Sequence, residues 1–265
     1  SAVALLAACS GKPAFDPATV ADATAEQVTR VEPLSWWTGM KMPLQLLVQG
    51  ENISDYDVAI EGGAGVSVEK INKADSPNYL FVDVKIAANA QPGTYYIVFS
   101  KDGQSFKYPY EIASRREGSA ERTSFTTADM IYLIMPDRFA NGNPSNDSVE
   151  GMPDKADRSK PFGRHGGDIQ GIIDHLDYIS ELGATAIWCT PLIEDNLEKT
   201  TYHGYACTDY YHIDARFGDN DLFKEYVQKA HEKDLKIIMD IVPNHSGSGH
   251  WWMSDVPFKD WYHVF

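Results

Sequence analysis

The sequence predicts two folded parts in series: an immunoglobulin-like β-sandwich, then a parallel α/β sheet. Three observations predict this. Short runs of Val, Ile, Phe and Tyr, divided by turn residues, recur from Val28 to Ile112. Beyond a charged, aperiodic stretch at 113–123, continuous apolar runs alternate with helical patterns, as a parallel sheet requires. The third such run, Leu235–Met239, leads directly into Asp240-Ile-Val-Pro-Asn244-His245. A carboxylate, an amide and an imidazole at a strand's C-terminal end face the cleft where such sheets keep their chemistry.

The elements follow in order. Ser1-Ala-Val-Ala-Leu5-Leu6-Ala7-Ala8-Cys9 is an apolar run of small residues, and Leu6-Ala7-Ala8-Cys9 resembles a bacterial lipobox. That resemblance implies a signal cleaved before Cys9, acylation of Cys9, and a lipid anchor in the cell envelope, on the outer membrane or facing the periplasm. Gly11 to Thr29, rich in Ala, Thr and Pro, then reads as a tether, with 1–27 outside the folded domains. Strands are expected at Leu44–Val48, Val66–Ile71, Tyr79–Ile86, Thr94–Phe99 and Ser105–Ile112, so the sandwich occupies 28–112. In Leu80–Ile86, residues 80, 82, 84 and 86 share one face and Asp83 and Lys85 the other. Lys101-Asp102-Gly103-Gln104 is a hairpin turn. After the 113–123 linker, Met130–Met135, Ala184–Cys189 and Leu235–Ile241 are the parallel strands. One helix is expected from Ile169 to Leu182, capped by Asp168 and ended by Gly183, and a second around Leu222–Ala230. Rossmann and barrel topologies both fit this alternation, though no G-x-G-x-x-G follows the first strand.

Composition narrows the function. The net charge of −15 and the absence of a basic patch exclude nucleic acid as the main partner and are compatible with a neutral ligand such as a sugar. The 14 Tyr and 6 Trp suit stacking on sugar rings, although aromatics more often fill cores. Cys189 and Cys207 lack C-x-x-C spacing and read as free and buried.

Three constellations carry chemistry. Asp240 is placed to orient a neighbouring cation, and His245 to donate to a hydroxyl; a strand-end carboxylate and a locally satisfied histidine are the plainer alternative. Tyr202-His203-Gly204-Tyr205, in the loop after the second strand, offers a polar edge and an aromatic face, the pair a pyranose calls for. A loop packed by its own aromatics would look the same. Asn141, Asn143, Asn146 and Asp147, with Gly166-Gly167-Asp168 further on, gather hard oxygen donors of the kind calcium takes. A simple Asn-rich turn is the alternative there.

Together these motifs resemble the α-amylase superfamily, glycoside hydrolase family 13. Glu32-Pro-Leu-Ser-Trp36-Trp37-Thr-Gly39-Met40 is similar to the N-terminal domain of cyclomaltodextrinases and neopullulanases. The resemblance implies that 124–265 is the first part, about three βα units, of a (β/α)8 TIM barrel, ending where domain B begins. It implies an α-glucan or cyclodextrin substrate, contacted by His203, Tyr205 and His245 with Asp240 and Asn244 in support, and calcium held by Asn141, Asn143, Asn146, Asp147, Gly166 and Asp168. Asn143 stands where the family often has Asp. Asp137 is implied to be structural, and a homodimer through the N-terminal domain is allowed. The family's nucleophile and acid/base lie beyond residue 265, so the full-length parent is expected to be a retaining hydrolase and this chain alone inactive. The rival expectations are a non-catalytic glucan-binding lipoprotein and an unrelated α/β enzyme using Asp240 or His245 directly.

Overall fold

The computed structural model describes residues 15–263, so the lipobox and Cys9 lie outside the described residues. The chain divides into two units, one holding residues to Ala120 together with those from Pro257, the other Glu121–Val256.

The first unit is a sandwich of two sheets. Its strands are β1 (Ala21–Asp22), β2 (Arg30–Glu32), β3 (Ser35–Trp37), β4 (Leu44–Gln49), β5 (Asp57–Glu61), β6 (Val66–Lys73), β7 (Tyr79–Ile86), β8 (Gly93–Lys101) and β9 (Gln104–Ala113). One sheet runs β2-β4-β7-β6; the other runs β1-β9-β8-β5, with β3 also on β9. The expected alternation holds in β7: Leu80, Val82 and Val84 are buried, while Lys85 is exposed. These residues join Leu46, Val48, Ile97, Phe99 and Ile112 in one apolar core, each such side chain contributing about 1.5–3 kcal/mol by leaving water. The hairpin turn uses positive φ at both Asp102 (51°) and Gly103 (78°), matching the twist of its strands.

The tether expectation needs correction. From the first described residues onward the segment is built into the sandwich: β1 pairs in parallel with β9, and the buried Lys107 ammonium meets Asp22 at 2.7 Å and the Val20 carbonyl at 2.6 Å. An open strand edge offers unpaired backbone groups that a short polar segment can satisfy. The stretch from Pro257 also packs within this unit. Asp75 and Ser76 donate to the Pro257 carbonyl, and Phe258 stacks on Phe81 with ring centroids 5.7 Å apart. Trp261 approaches the same ring at 6.1 Å, so it packs on the sandwich.

The second unit holds a three-stranded parallel sheet, β10 (Ile131–Ile134), β11 (Ala186–Cys189) and, after the loop strands β12 (Ile193–Glu194) and β13 (Asp209–Ile213), β14 (Lys236–Met239). The order β10-β11-β14 rules out a flavodoxin-like arrangement, in which the first strand lies between the second and third. The strands are shorter than their apolar runs. A brief helix, α1 (Pro136–Phe139), follows β10. The single helix expected over 169–182 is two: α2 (Ile169–Asp174) and α3 (Leu176–Glu181). The break falls at His175, which sits at φ −114°, with its imidazole 2.7 Å from the Gly171 carbonyl. A side chain bonded to a carbonyl of its own helix competes with continuation of the ladder. Asp168 caps α2, and Gly183 at φ +83° follows α3. The last helix, α4 (Asn220–His231), is capped by Asp219. Ile172, Leu176, Ile179, Ile187, Tyr226 and Leu235 form the core between helices and sheet. On the opposite side Leu133 and its register neighbour Trp188 are exposed.

Candidate active site

The Tyr202–Tyr205 and Asp240–His245 segments meet at the C-terminal end of the parallel sheet. Asp240 directly follows β14, and its Oδ2 accepts the Trp188 indole N–H at 3.0 Å and the Tyr205 hydroxyl at 3.1 Å. Partial burial and then the bond to Asp240 raise the pKa of the Tyr205 phenol, keeping it a donor. The His245 ring closes a second link, its Nε2 lying 3.0 Å from the Tyr205 carbonyl. Its Nδ1 is 3.1 Å from Asn244 Nδ2, so this amide donates and Nε2 carries the ring proton. Both His245 nitrogens are thus engaged within the protein, and a sugar hydroxyl would replace one of these bonds.

Backbone geometry holds the two loops against each other. Gly204 sits at φ +78°, and a Cβ there would stand 2.1 Å from the Pro191 carbonyl oxygen, so only glycine fits. Gly247 donates to the Cys207 carbonyl at 2.6 Å, and a Cβ on it would meet the Ala206 carbonyl oxygen at 2.3 Å. The Tyr210 hydroxyl lies 3.1 Å from the Val242 carbonyl and 2.9 Å from that of His245. His203 Nδ1 accepts the Tyr205 N–H at 2.9 Å, and burial lowers its pKa, favouring the neutral ring. Its other nitrogen remains available near a cavity of about 580 Å³ whose lining includes His203, Asn196, Lys199 and Ser248. A neutral imidazole edge, a tyrosine face and a carboxylate form a set suited to hydroxyls and ring C–H surface.

The oxygen-rich loop behaves differently from residue to residue. Asp147 Oδ1 accepts from Asn141 Nδ2 at 2.6 Å, and a Cβ on Gly166 would lie 2.6 Å from the same oxygen. The side-chain oxygens of Asn141 and Asn146 are buried with no hydrogen-bond partner. Two orphaned amide oxygens beside a carboxylate are what a hard cation would satisfy, so these residues fit calcium. Asn143 and Asp168 carry bonds of their own: Asn143 Oδ1 accepts from Ser145, and Asp168 receives the N–H groups of Gly142, Asn143 and Gly171. Among the described residues no group of three or more His, Cys, Asp or Glu could hold a metal; the donors here are mainly amides. Asp137 accepts N–H bonds from His165 and Gly166, a bracing role. Cys189 and Cys207 are free and buried.

Sequence reasoning missed Trp188, whose only signal was an aromatic in an otherwise aliphatic strand. It also missed a buried ionic cluster below the Tyr202–Tyr205 loop. Arg216 and Asp214, both fully buried, pair through two bonds of 2.9 and 2.7 Å. Burial pushes Asp214 upward, but Arg216 and Arg164 outweigh it and hold the carboxyl below its ordinary range.

Residues 133–264 match the family described as alpha amylase, catalytic domain, and residues 30–116 match the cyclomaltodextrinase N-terminal family. The chain is similar to the beta/alpha-amylase of Paenibacillus polymyxa, 44% identical over 138 residues, covering 50% of this chain and 11% of that protein. It is 40% identical over 142 residues to a cyclomaltodextrinase of a Bacillus species, covering 51% of this chain and 25% of the relative. Among solved structures, an Anoxybacillus alpha-amylase is 50% identical, covers 51% of this chain and 28% of its own, and gives a TM-score of 0.47. The chain thus spans between 11% and 28% of the length of these relatives. Residues 133–264, most of them in the second unit, are thus similar to the alpha amylase catalytic domain, and residues 30–116 of the first unit to the cyclomaltodextrinase N-terminal domain.

Proposed function

We propose that the full-length protein hydrolyses α-glucosidic bonds in α-glucans, maltooligosaccharides or cyclomaltodextrins, with retention of configuration. The observation that carries this reading is the Asp240 carboxylate, bonded at once to Tyr205 and Trp188, with His245 on the Tyr205 carbonyl. The named relatives, amylases and cyclomaltodextrinases, support it. In this reading Tyr205 forms the floor for the reacting sugar, His203 and His245 bind its hydroxyls, and Asp240 with Asn244 orients them. A carboxylate nucleophile and a carboxylic acid/base, about 5 Å apart, complete the mechanism. We assign both to residues outside 1–265. Calcium bound by Asn141, Asn146 and Asp147, with the Gly166 carbonyl, would supply positive charge that ties together the loop after β10. Asn143 and Asp168 support that loop through the bonds described.

We further propose that the protein is a lipoprotein of the cell envelope, acylated at Cys9, with the N-terminal domain as the candidate surface for a homodimer. Incorporation of labelled palmitate that is lost in Cys9→Ser tests the anchor. Incubating full-length protein with maltoheptaose and a cyclomaltodextrin tests the activity. Cleavage that collapses in His245→Ala supports the reading; binding without cleavage would favour the glucan-binding alternative.

A further inference from the structure

One hold on the Tyr202–Tyr205 loop has no part in the reading above. Asp195, just after β12, is 1% exposed. Its backbone is clamped on both sides: the N–H donates to Asp214 Oδ2 at 3.2 Å, and the carbonyl accepts from Arg216 Nη2 at 2.6 Å. Arg216 is fixed in turn by Asp214 and by the Asp154 carbonyl at 2.9 Å. The Asp195 side chain holds a different partner. Its Oδ2 accepts the Ala206 N–H at 3.2 Å, while Oδ1 is buried with no partner. A carboxyl kept in such a place at the cost of an unsatisfied oxygen calls for a reason beyond packing.

Ala206 is the residue after Tyr205. Tyr205 uses its own N–H on His203 within the loop and its carbonyl on His245 across it. Where its phenol comes to rest against Asp240 therefore depends on how the following peptide is held. We propose that Asp195 is a positioning residue for Tyr205, fixing the Ala206 N–H from a backbone clamped by Arg216 and Asp214 so that the phenol meets Asp240. The geometric half of this stands on its own. The consequence for turnover rests on the glucan reading.

Amide hydrogen exchange and steady-state kinetics on the full-length protein test the two halves separately. One neutral hydrogen bond is worth about 1 kcal/mol, so Asp195→Ala should speed exchange in the peptide spanning 203–207 by about 5- to 10-fold. Exchange in β10, β11 and β14 should stay at wild-type rates. Asp195→Asn keeps an acceptor for the Ala206 N–H and should restore slow exchange. With maltoheptaose, Asp195→Ala should lower kcat by a similar factor, and that loss should vanish in a Tyr205→Phe background, where no phenol remains to be positioned. A merely structural role would leave the loss undiminished in the double variant. If Asp195→Ala does not fold, Asp195→Ser, which is too short to hold Ala206, is read in the same way. Unchanged exchange at 203–207, or a kcat loss that persists in full beside Tyr205→Phe, overturns the proposal. Wild-type protein that turns over no glucan, with exchange at 203–207 accelerated as expected, would sink the glucan reading and leave the positioning role standing.

Discussion

Replacing Tyr205 by Phe removes one atom from the candidate site. The phenol donates to Asp240 Oδ2 at 3.1 Å, an oxygen that also takes the Trp188 indole N–H at 3.0 Å. A hydrogen bond to a charged group contributes about 1.5–3 kcal/mol when solvent is excluded. Tyr205 is 38% exposed, so water recovers part of that, leaving about 1–2 kcal/mol. The expected loss in kcat/KM is about 5- to 30-fold. Because the ring remains as a stacking surface, most of the loss should fall on kcat. Tyr205→Ala removes the face as well and, like His245→Ala, should cost about 2–4 kcal/mol in the barrier. The assay is steady-state hydrolysis of maltoheptaose by the full-length protein. Wild-type kcat/KM in all three variants would refute the assignment. A loss in Tyr205→Phe as large as in Tyr205→Ala would mean that the phenol, not the ring face, carries the function.

Three further predictions follow from the fold. Calcium should raise the melting temperature of metal-stripped full-length protein by binding the folded state, and Asp147→Ala should abolish the shift; a calcium-independent Tm would return the segment to an ordinary Asn-rich turn. Asp195 gives a pH signature: burial first, with Asp214 adding, raises its carboxyl to about 7, while Ala206, Arg216 and Arg164 pull it down. A raised acid binds more protons folded than unfolded, so stability should fall as pH rises from about 4 to 7; Asp195→Asn should flatten this limb, and an unaltered limb would contradict the assignment. Finally, residues 15–120 should melt cooperatively when expressed alone, and at a higher temperature than 28–112, which lacks β1 and the Lys107–Asp22 pair; identical melting temperatures would restore the tether.

What was legible in the sequence was whatever depends on near neighbours along the chain. The alternation in β7, the Asp102-Gly103 turn and the Asp168 cap all emerge as read, because period, positive φ and capping are local. β5 escaped notice although Val58 and Ile60 alternate in it, since a short strand with charged ends resembles a loop. The break at His175 depends on one imidazole choosing a carbonyl of its own helix, which apolar spacing does not register. In the site, the H-G-Y and D-x-x-x-N-H motifs meet as their placement at strand ends implied. The partner that joins them does not announce itself: Trp188 looks like one more core residue until the sheet faces are assigned. Asn143 and Asp168 show what residue type alone leaves out. Their residue types suit a cation, yet their oxygens are taken by backbone N–H groups and a serine that only the folded loop brings near. Asp195 and Arg216 are 21 residues apart in sequence, and the hold of Asp195 on Ala206 from a backbone clamped by Arg216 exists only after these segments have packed.

The most direct test of the central claim is proton NMR of the sugar released in the first minutes of maltoheptaose hydrolysis by the full-length protein. A retaining α-glucosidase delivers the new reducing end as the α anomer, before mutarotation equilibrates it. The account predicts that early α signal, together with its collapse in His245→Ala. An early β anomer, or no cleavage of maltoheptaose or a cyclomaltodextrin by folded full-length protein, would contradict it.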